Sequence, residues 1–426
     1  MKPSKTAAFL STAYIALLTA CQPNINDRDK SHSRSLEENP STIGIERFQS
    51  RPIGKPVVGM PWITDLHLVD LDQDGLKDIV ACEGKLNQVS WIRQHPIGQF
   101  TERIIGKAIA GPAHIEHADL DSDGDIDLLI AGMGLVTPSN DPIGSVVVLE
   151  NDGKENFSNR ALLEKVPRVT HVEAGDLDGD GDLDLSVGQF GYYEGEIQWL
   201  ENQGDWQFSR HSLSYLEGAI HTPITDFDQD GDQDIVALLS QDWEEIHLFQ
   251  NLGQGEFKNK VAYGSTNKDF GSSGLTVDDL DQDGDIDIVY TNGDGFDYSV
   301  PGSRSWHGVQ WLENDGKGNF EYKPIGEQAG SYSPLPIDID ADGDKDIIVA
   351  SGFNDWSNSD SASLVCFENL GNEQFAKRIL AHQPTHLVVV DAADMDNDGD
   401  LDLVSGGFHF YPPYDKLSRI TLWENL

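Results

Sequence analysis

Apolar residues in this chain gather in short runs rather than in helical stripes. Ile79-Val80, Leu128-Leu129-Ile130, Ile235-Val236, Ile288-Val289 and Ile347-Ile348-Val349 each stand between polar turn residues, the pattern of buried strands. A shorter strand precedes each of them, as in Thr170-His171-Val172-Glu173-Ala174-Gly175. A connection of variable length follows, then a third run, clearest at Gln198-Trp199-Leu200-Glu201-Asn202 and Gln310-Trp311-Leu312-Glu313-Asn314. Asn314-Asp315-Gly316-Lys317-Gly318 then turns a hairpin into a fourth run that opens on phenylalanine, Phe320 to Gly326. The unit recurs about every 50 residues, a period that predicts four-stranded propeller blades. We label the strands of each blade A to D in chain order.

Between strands A and B stands the strongest motif. Asp176-Leu177-Asp178-Gly179-Asp180-Gly181-Asp182-Leu183-Asp184 places carboxylates at positions 1, 3, 5 and 9, with glycine at 6. Six more copies begin at Asp70, Asp119, Asp226, Asp279, Asp338 and Asp394, all with acid at those four positions and glycine at 6. Oxygen ligands at alternating positions and a glycine at the sharp turn make a Ca²⁺ loop. An EF-hand does not fit, because position 12 is Ala81 or Ile130 inside a strand. Calcium β-rolls do not fit either, since their repeats are far shorter.

Phe100, Phe157, Phe208, Phe257, Phe320 and Phe375 open six D strands, and the chain stops at Trp423-Glu424-Asn425-Leu426, the end of a C strand. The seventh D strand is expected at the other end, where Phe48-Gln49-Ser50-Arg51-Pro52-Ile53-Gly54 matches Phe320 to Gly326. The expectation is an all-β, seven-bladed propeller over residues 45–426, closed by the N-terminal strand joining the last blade, with no open edge at the join.

Composition adds charge and compartment. The net charge is −44 in 426 residues; seven Ca²⁺ would bring it to −30. The metal-free chain repels itself, so folding is expected to depend on metal. So acidic a surface excludes nucleic acid, whose phosphates need clustered Lys and Arg. Lys2 and Lys5 precede an apolar run, Ala7 to Leu18, too short for a mature membrane span. The run ends Leu18-Thr19-Ala20-Cys21, which resembles the lipobox of bacterial lipoproteins. That resemblance implies a signal peptide over residues 1–20, lipidation of Cys21, and, with Gln22 following, anchoring in the outer membrane of the cell envelope. An ordinary secretory signal is the alternative. Residues 21–44 read as a polar, flexible tether. Cys82 and Cys366 fall in apolar repeat slots and are expected as buried free thiols rather than as a disulfide.

The Asp-x-Asp-x-Asp-Gly-x-x-Asp loops between strands resemble the FG-GAP/VCBS repeats of integrin α-chain propellers and many secreted bacterial proteins. The resemblance implies one Ca²⁺ per A–B loop, up to seven. Its ligands would be Asp70, Asp72, Asp74, the Leu76 carbonyl and Asp78 in the first blade. In the next they are Asp119, Asp121, Asp123, Asp125 and Asp127, then Asp176, Asp178, Asp180, Asp182 and Asp184. Blades four and five supply Asp226, Asp228, Asp230, Asp232 and Asp234, and Asp279, Asp281, Asp283, Asp285 and Asp287. The last two supply Asp338, Asp340, Asp342, Asp344 and Asp346, and Asp394, Asp396, Asp398, Asp400 and Asp402. A fold of this kind hosts adhesion modules, lectins and enzymes and names none of them.

Repetition marks the loops as fastenings, so function is sought on the opposite face. Five residues before the loops lie Asp65, His114, His171 and His221; three residues before lie His67, Glu116, Glu173 and Asp391. Converging at the channel mouth, they could bind a transition metal or perform acid–base chemistry, with His114, His171 and His221 as catalytic candidates. The plainer reading is a polar lining hydrogen-bonded between blades. B–C connections rich in aromatics (Phe190, Tyr192, Tyr193, Trp243, Phe296, Tyr298, Trp306, Trp356, Phe410, Tyr411, Tyr414) suit stacking on sugars or a protein partner, or simply pack the loops down. The expected protein is a monomeric, lipid-anchored, Ca²⁺-stabilised envelope module binding glycan or protein on its B–C face. The rivals are a polysaccharide lyase or hydrolase and a structural subunit of an envelope complex.

Overall fold

The computed structural model describes residues 43–296 and 302–426; Cys21, the leader and Tyr298 lie outside these. Seven antiparallel sheets follow one another in chain order. Their A strands are Ile63–Val69, Pro112–Ala118, Val169–Gly175, Ala219–His221 with Ile224–Thr225, Ser272–Asp278, Ser331–Ile337 and Leu387–Ala393. The fourth is split at Pro223, which brings no N–H to the ladder; its carbonyl instead accepts from the Val236 N–H at 2.9 Å. The B strands, such as Asp78–Glu83 and Asp234–Leu239, are buried at every residue, which explains their continuous apolar runs.

Each core lies between neighbouring blades. Val80, Cys82 and Trp91 of the first blade pack with Ile115, Leu128 and Ile130 of the second. Trp199 and Trp311 are core residues, 3% and 1% exposed. Cys82 and Cys366 are buried, free thiols in different clusters. Burying each large apolar side chain contributes about 1.5–3 kcal/mol, so the sheets hold one another by their faces.

The ring closes as expected. Phe48–Ile53 pairs with Ile420–Asn425 from Phe48↔Asn425 to Ile53↔Ile420. The same Phe-to-Asn register opens the C–D pairing of blades two to six, as in Phe320↔Asn314, and Phe100 faces Gln94 in the first. A 3₁₀ turn, Ile45–Arg47, leads into the strand, and Arg47 donates to Asn425 Oδ1 and to the Ile339 carbonyl, both at 2.8 Å. On the other side of the last blade, Arg419 reaches into the first, where its guanidinium meets Glu83 at 2.9 Å and Glu102 at 2.8 Å. All three side chains are buried. Burial alone would push the Glu83 carboxyl up, but Arg419, with Gln88 and Ser90, holds it below the usual glutamate range.

Removing one partner from such a network strands a buried charge. Arg419→Ala should cost about 3–5 kcal/mol, read as a lowered Tm. Because the folded Glu83 pKa is depressed, its stabilising contribution is present above its ordinary 4.5 and is lost as pH falls below that value. Arg419→Ala should remove this part of the acid dependence in Tm-against-pH curves.

Candidate functional site: loops and central funnel

The A–B loops have one geometry. The position-1 carboxylate caps the turn: Asp70 accepts from the N–H groups of Asp74 and Gly75 at 3.0 and 2.9 Å, and Asp338 from Asp342 and Gly343 at 3.1 and 3.0 Å. Position 4 is left-handed even where it is not glycine, with φ 57° at Gln73 and 61° at Gln282. Three glutamines at this position reach the next loop: Gln73 donates to the Gly124 carbonyl at 2.9 Å, Gln229 to that of Gly284 at 2.8 Å and Gln282 to that of Gly343 at 2.6 Å.

Position 9 is buried and does a second job. One oxygen of Asp78, Asp127, Asp184, Asp234, Asp287, Asp346 and Asp402 accepts an N–H at the end of strand C, at 2.7–2.9 Å. The other accepts the N–H of loop position 2 in six blades, as Leu177 to Asp184 at 2.9 Å; in the first blade the Trp91 indole takes that place at 2.9 Å. Burial pushes most of these carboxyls up to about 7, against the pull of the backbone N–H groups.

The loops fit a divalent cation. Ligand oxygens of Asp70/Asp72/Asp74, Asp119/Asp121/Asp123, Asp176/Asp178/Asp184 and Asp226/Asp228/Asp230 lie within 4.8 Å of one another. Buried Oδ1 atoms of Asp228, Asp279, Asp340 and Asp400 have no hydrogen-bond partner among the described residues. All-oxygen donors at this spacing suit Ca²⁺. The first blade departs from the rest: where blades two, three, five, six and seven carry Glu150, Glu201, Glu313, Glu368 and Glu424 at the C-strand end, it carries Arg93. Arg93 sits 2.5 Å from Asp72, and His95 is 2.9 Å from Asp74.

The Asn that ends strand C went unread in the sequence. Asn314 Nδ2 donates to the Ile286 carbonyl of its own loop at 2.9 Å and to the Phe227 carbonyl of the preceding blade at 2.7 Å. Asn251 does the same to Gln233 and Leu177, both at 2.8 Å. The recurring Glu-Asn dipeptide was the available signal.

On the opposite face the A strands and B–C connections enclose a funnel of about 630 Å³. Its polar wall brings together the histidines of the first four blades. Ring centroids are 6.0 Å apart for His67–His114, 3.9 Å for His114–His171 and 5.3 Å for His171–His221. Burial lowers His67 and His221 to about 4 and carries His114 and His171 well below the ordinary value. It raises Asp65 and Glu173 to about 8, Glu116 to about 7, and Asp391 above its usual range. Burial thus favours the uncharged form of the groups on this wall.

Several of these groups also bind blades together. Asp65 accepts from the Ile115 N–H at 2.8 Å, Asp391 from Leu68 at 2.9 Å and Glu173 from Ile224 at 3.1 Å, each across a blade boundary. The inter-blade lining therefore holds for Asp65, Glu173 and Asp391, whereas Glu116 accepts from the N–H of its neighbour His117 at 2.7 Å. Imidazoles also reach across: His171 Nδ1 lies 3.2 Å from Thr222 Oγ1, and His114 and His221 meet the backbone of Val172 and Ser273 on the next blade, while the buried His114 Nδ1 has no hydrogen-bond partner among the described residues.

The facing wall is aromatic. Phe296, Tyr332, Phe408, Phe410 and Tyr411 line it, with Phe296–Phe410 at 5.2 Å and Phe410–Tyr411 at 4.9 Å. Trp62 and Phe353 pack behind, at 4.7 Å from Phe410 and 5.0 Å from Phe296. These two and Tyr332 escaped the sequence reading because they lie in or beside strand ends rather than in long connections. Other loop aromatics stand apart: Trp306 donates to the Asp269 carbonyl at 2.9 Å, Trp356 packs on His386 at 5.2 Å, and Tyr193 and Trp243 are exposed.

The sequence matches the family model for the FG-GAP-like repeat over residues 70–130, 226–290, 291–349 and 338–405, more than half of the chain. No curated protein matches it. Among solved structures, one of BBS1N in complex with ARL6DN, soaked with lead, is similar at TM-score 0.52 and 9% identity, covering 89% of this chain and 97% of that one. At that identity the likeness is one of fold alone, and 319 matching chains make the fold too widespread to select a function.

Asn314→Ala should leave the buried Phe227 carbonyl and the part-buried Ile286 carbonyl without their shared donor and cost about 1–3 kcal/mol. Chemical denaturation of the variant should show this as a lower midpoint with an unchanged slope.

Proposed function

We propose, for a chain that belongs to the FG-GAP-like repeat family, that the propeller is a glycan-binding module whose ligand enters the central funnel. The observation that carries this reading is the funnel's two-sidedness. An aromatic wall of Phe296, Phe410 and Tyr411 faces a wall of imidazoles and carboxyls across one cavity. A sugar ring has the matching halves, an apolar face for stacking and a rim of hydroxyls for hydrogen bonds. A mostly uncharged polar wall favours a neutral glycan over an acidic one.

In this reading Ca²⁺ in the A–B loops fastens the blades, and a lipid on Cys21 tethers the domain to the outer membrane of the cell envelope. The carboxylate geometry supports the first. The lipobox-like Leu18-Thr19-Ala20-Cys21 supports the second. The enzymatic alternative rests on Glu173 and Glu116, whose raised pKa values beside buried histidines suit general acid–base work on a polysaccharide.

Binding of the full chain to an array of neutral oligosaccharides tests the function. Phe410→Ala should weaken it about tenfold or more in protein that circular dichroism shows to be folded. Absence of binding to any neutral glycan would sink the proposal, and chain cleavage of a bound polysaccharide, abolished by Glu173→Gln, would replace it with the enzymatic one.

Calcium is tested separately. Excess EGTA should lower Tm by about 10 °C or more; an unchanged Tm counts against structural Ca²⁺. Elemental analysis along an EGTA titration should show one ion leaving first, because Arg93 places positive charge on the first loop. Arg93→Glu should abolish that early step.

A further inference from the structure

The funnel's polar wall contains a grouping that neither blade fastening nor sugar stacking requires. Asp65, His67 and His114 each offer one ligand atom, and the three atoms lie within 4.8 Å of one another. His67 Nε2 is already 3.8 Å from Asp65 Oδ2. Tetrahedral bonds of about 2.0–2.2 Å place neighbouring ligand atoms about 3.4 Å apart, a spacing close to that in which the three atoms already stand.

We propose that Asp65, His67 and His114 form a three-coordinate site for a borderline divalent transition metal of the Zn²⁺ class, distinct from the Ca²⁺ loops. Two imidazole nitrogens with one carboxylate select such a cation over Ca²⁺, which takes oxygen throughout. The support around the ligands is in place. Asp65 is oriented by N–H donors from Leu66 at 3.0 Å and Ile115 at 2.8 Å, the outer contacts that aim a metal-binding carboxylate. The His114 ring is held against His171 at 3.9 Å. Its Nδ1 is buried and has no hydrogen-bond partner among the described residues, a cost that a buried polar atom ordinarily avoids.

The three ligands all line the funnel. Three protein ligands leave a fourth position for water or a ligand hydroxyl, the arrangement of sites that bind or activate substrate rather than of closed structural ones. The site stands independently of the glycan reading, since it needs only the three side chains.

The test is Co²⁺ titration of the full chain in buffer holding excess Ca²⁺, which keeps the A–B loops filled. One equivalent should develop the visible absorption of a low-coordinate Co²⁺ centre, and Zn²⁺ should displace it. His67→Gln and His114→Gln should each weaken binding by more than about 100-fold, beyond the roughly 10–100-fold that loss of an outer contact costs. His221→Gln, at the far end of the row, should leave the spectrum intact. Circular dichroism and Tm establish that each variant is folded; should His114→Gln fail to fold, His67, whose side chain is 27% exposed, carries the test. No absorption band in the wild type, or a band of unchanged affinity in folded His67→Gln, overturns the site.

Discussion

One buried carboxylate per blade organises the rest. The position-9 aspartate takes an N–H from the last residue of strand C on one oxygen, and on the other an N–H from its own loop or, in the first blade, an indole. Loop, strand B and strand C become a single piece, and the residues upstream on strand A inherit their positions from it. A charge so far from water is expensive unless a counter-charge lies close. The Ca²⁺ proposed for the A–B loops would supply that counter-charge, with the acids at positions 1, 3 and 5 as its further ligands.

The funnel shows how a repeated frame acquires an unrepeated site. Strand A offers the same two inward positions in every blade, yet the first four blades fill them largely with histidine and carboxylate and the last three largely with small or apolar residues. Long connections of the later blades then add phenylalanine and tyrosine above that side. Polar and aromatic walls thus come from opposite arcs of the ring. Asp65 and Glu173 serve twice, as bridges between blades and as part of the lining.

The propeller, its blade count and its closure were legible because each depends on local repeats: the acidic loop, the Trp-Leu-Glu-Asn run and the Phe that opens strand D. The histidine row was legible for the same reason, since a fixed distance from each loop locates it. What escaped depended on contacts between blades. Asn314 shows its role only when Phe227 of the preceding blade is beside it. The Arg419–Glu83–Glu102 network joins residues more than 300 positions apart, and no spacing rule reveals it. Trp62 and Phe353 read as isolated aromatics until the ring brings them to Phe410 and Phe296. The repeat predicts an ordinary inner strand in blade four, which Pro223 splits.

The closing strand has a consequence for how the molecule forms. Among the described residues Phe48–Ile53 is the first strand, yet its partner, Ile420–Asn425, is the last. Six blades can assemble from contacts within about 50 residues, whereas the seventh waits on one of the longest contacts the chain can make. Such contacts carry the greatest loop-closure entropy and slow folding. Until they form, strand C of the last blade presents bare backbone N–H and C=O groups, a template for another chain. The step that makes the ring edgeless is also the step before which it is most exposed to association with its own kind.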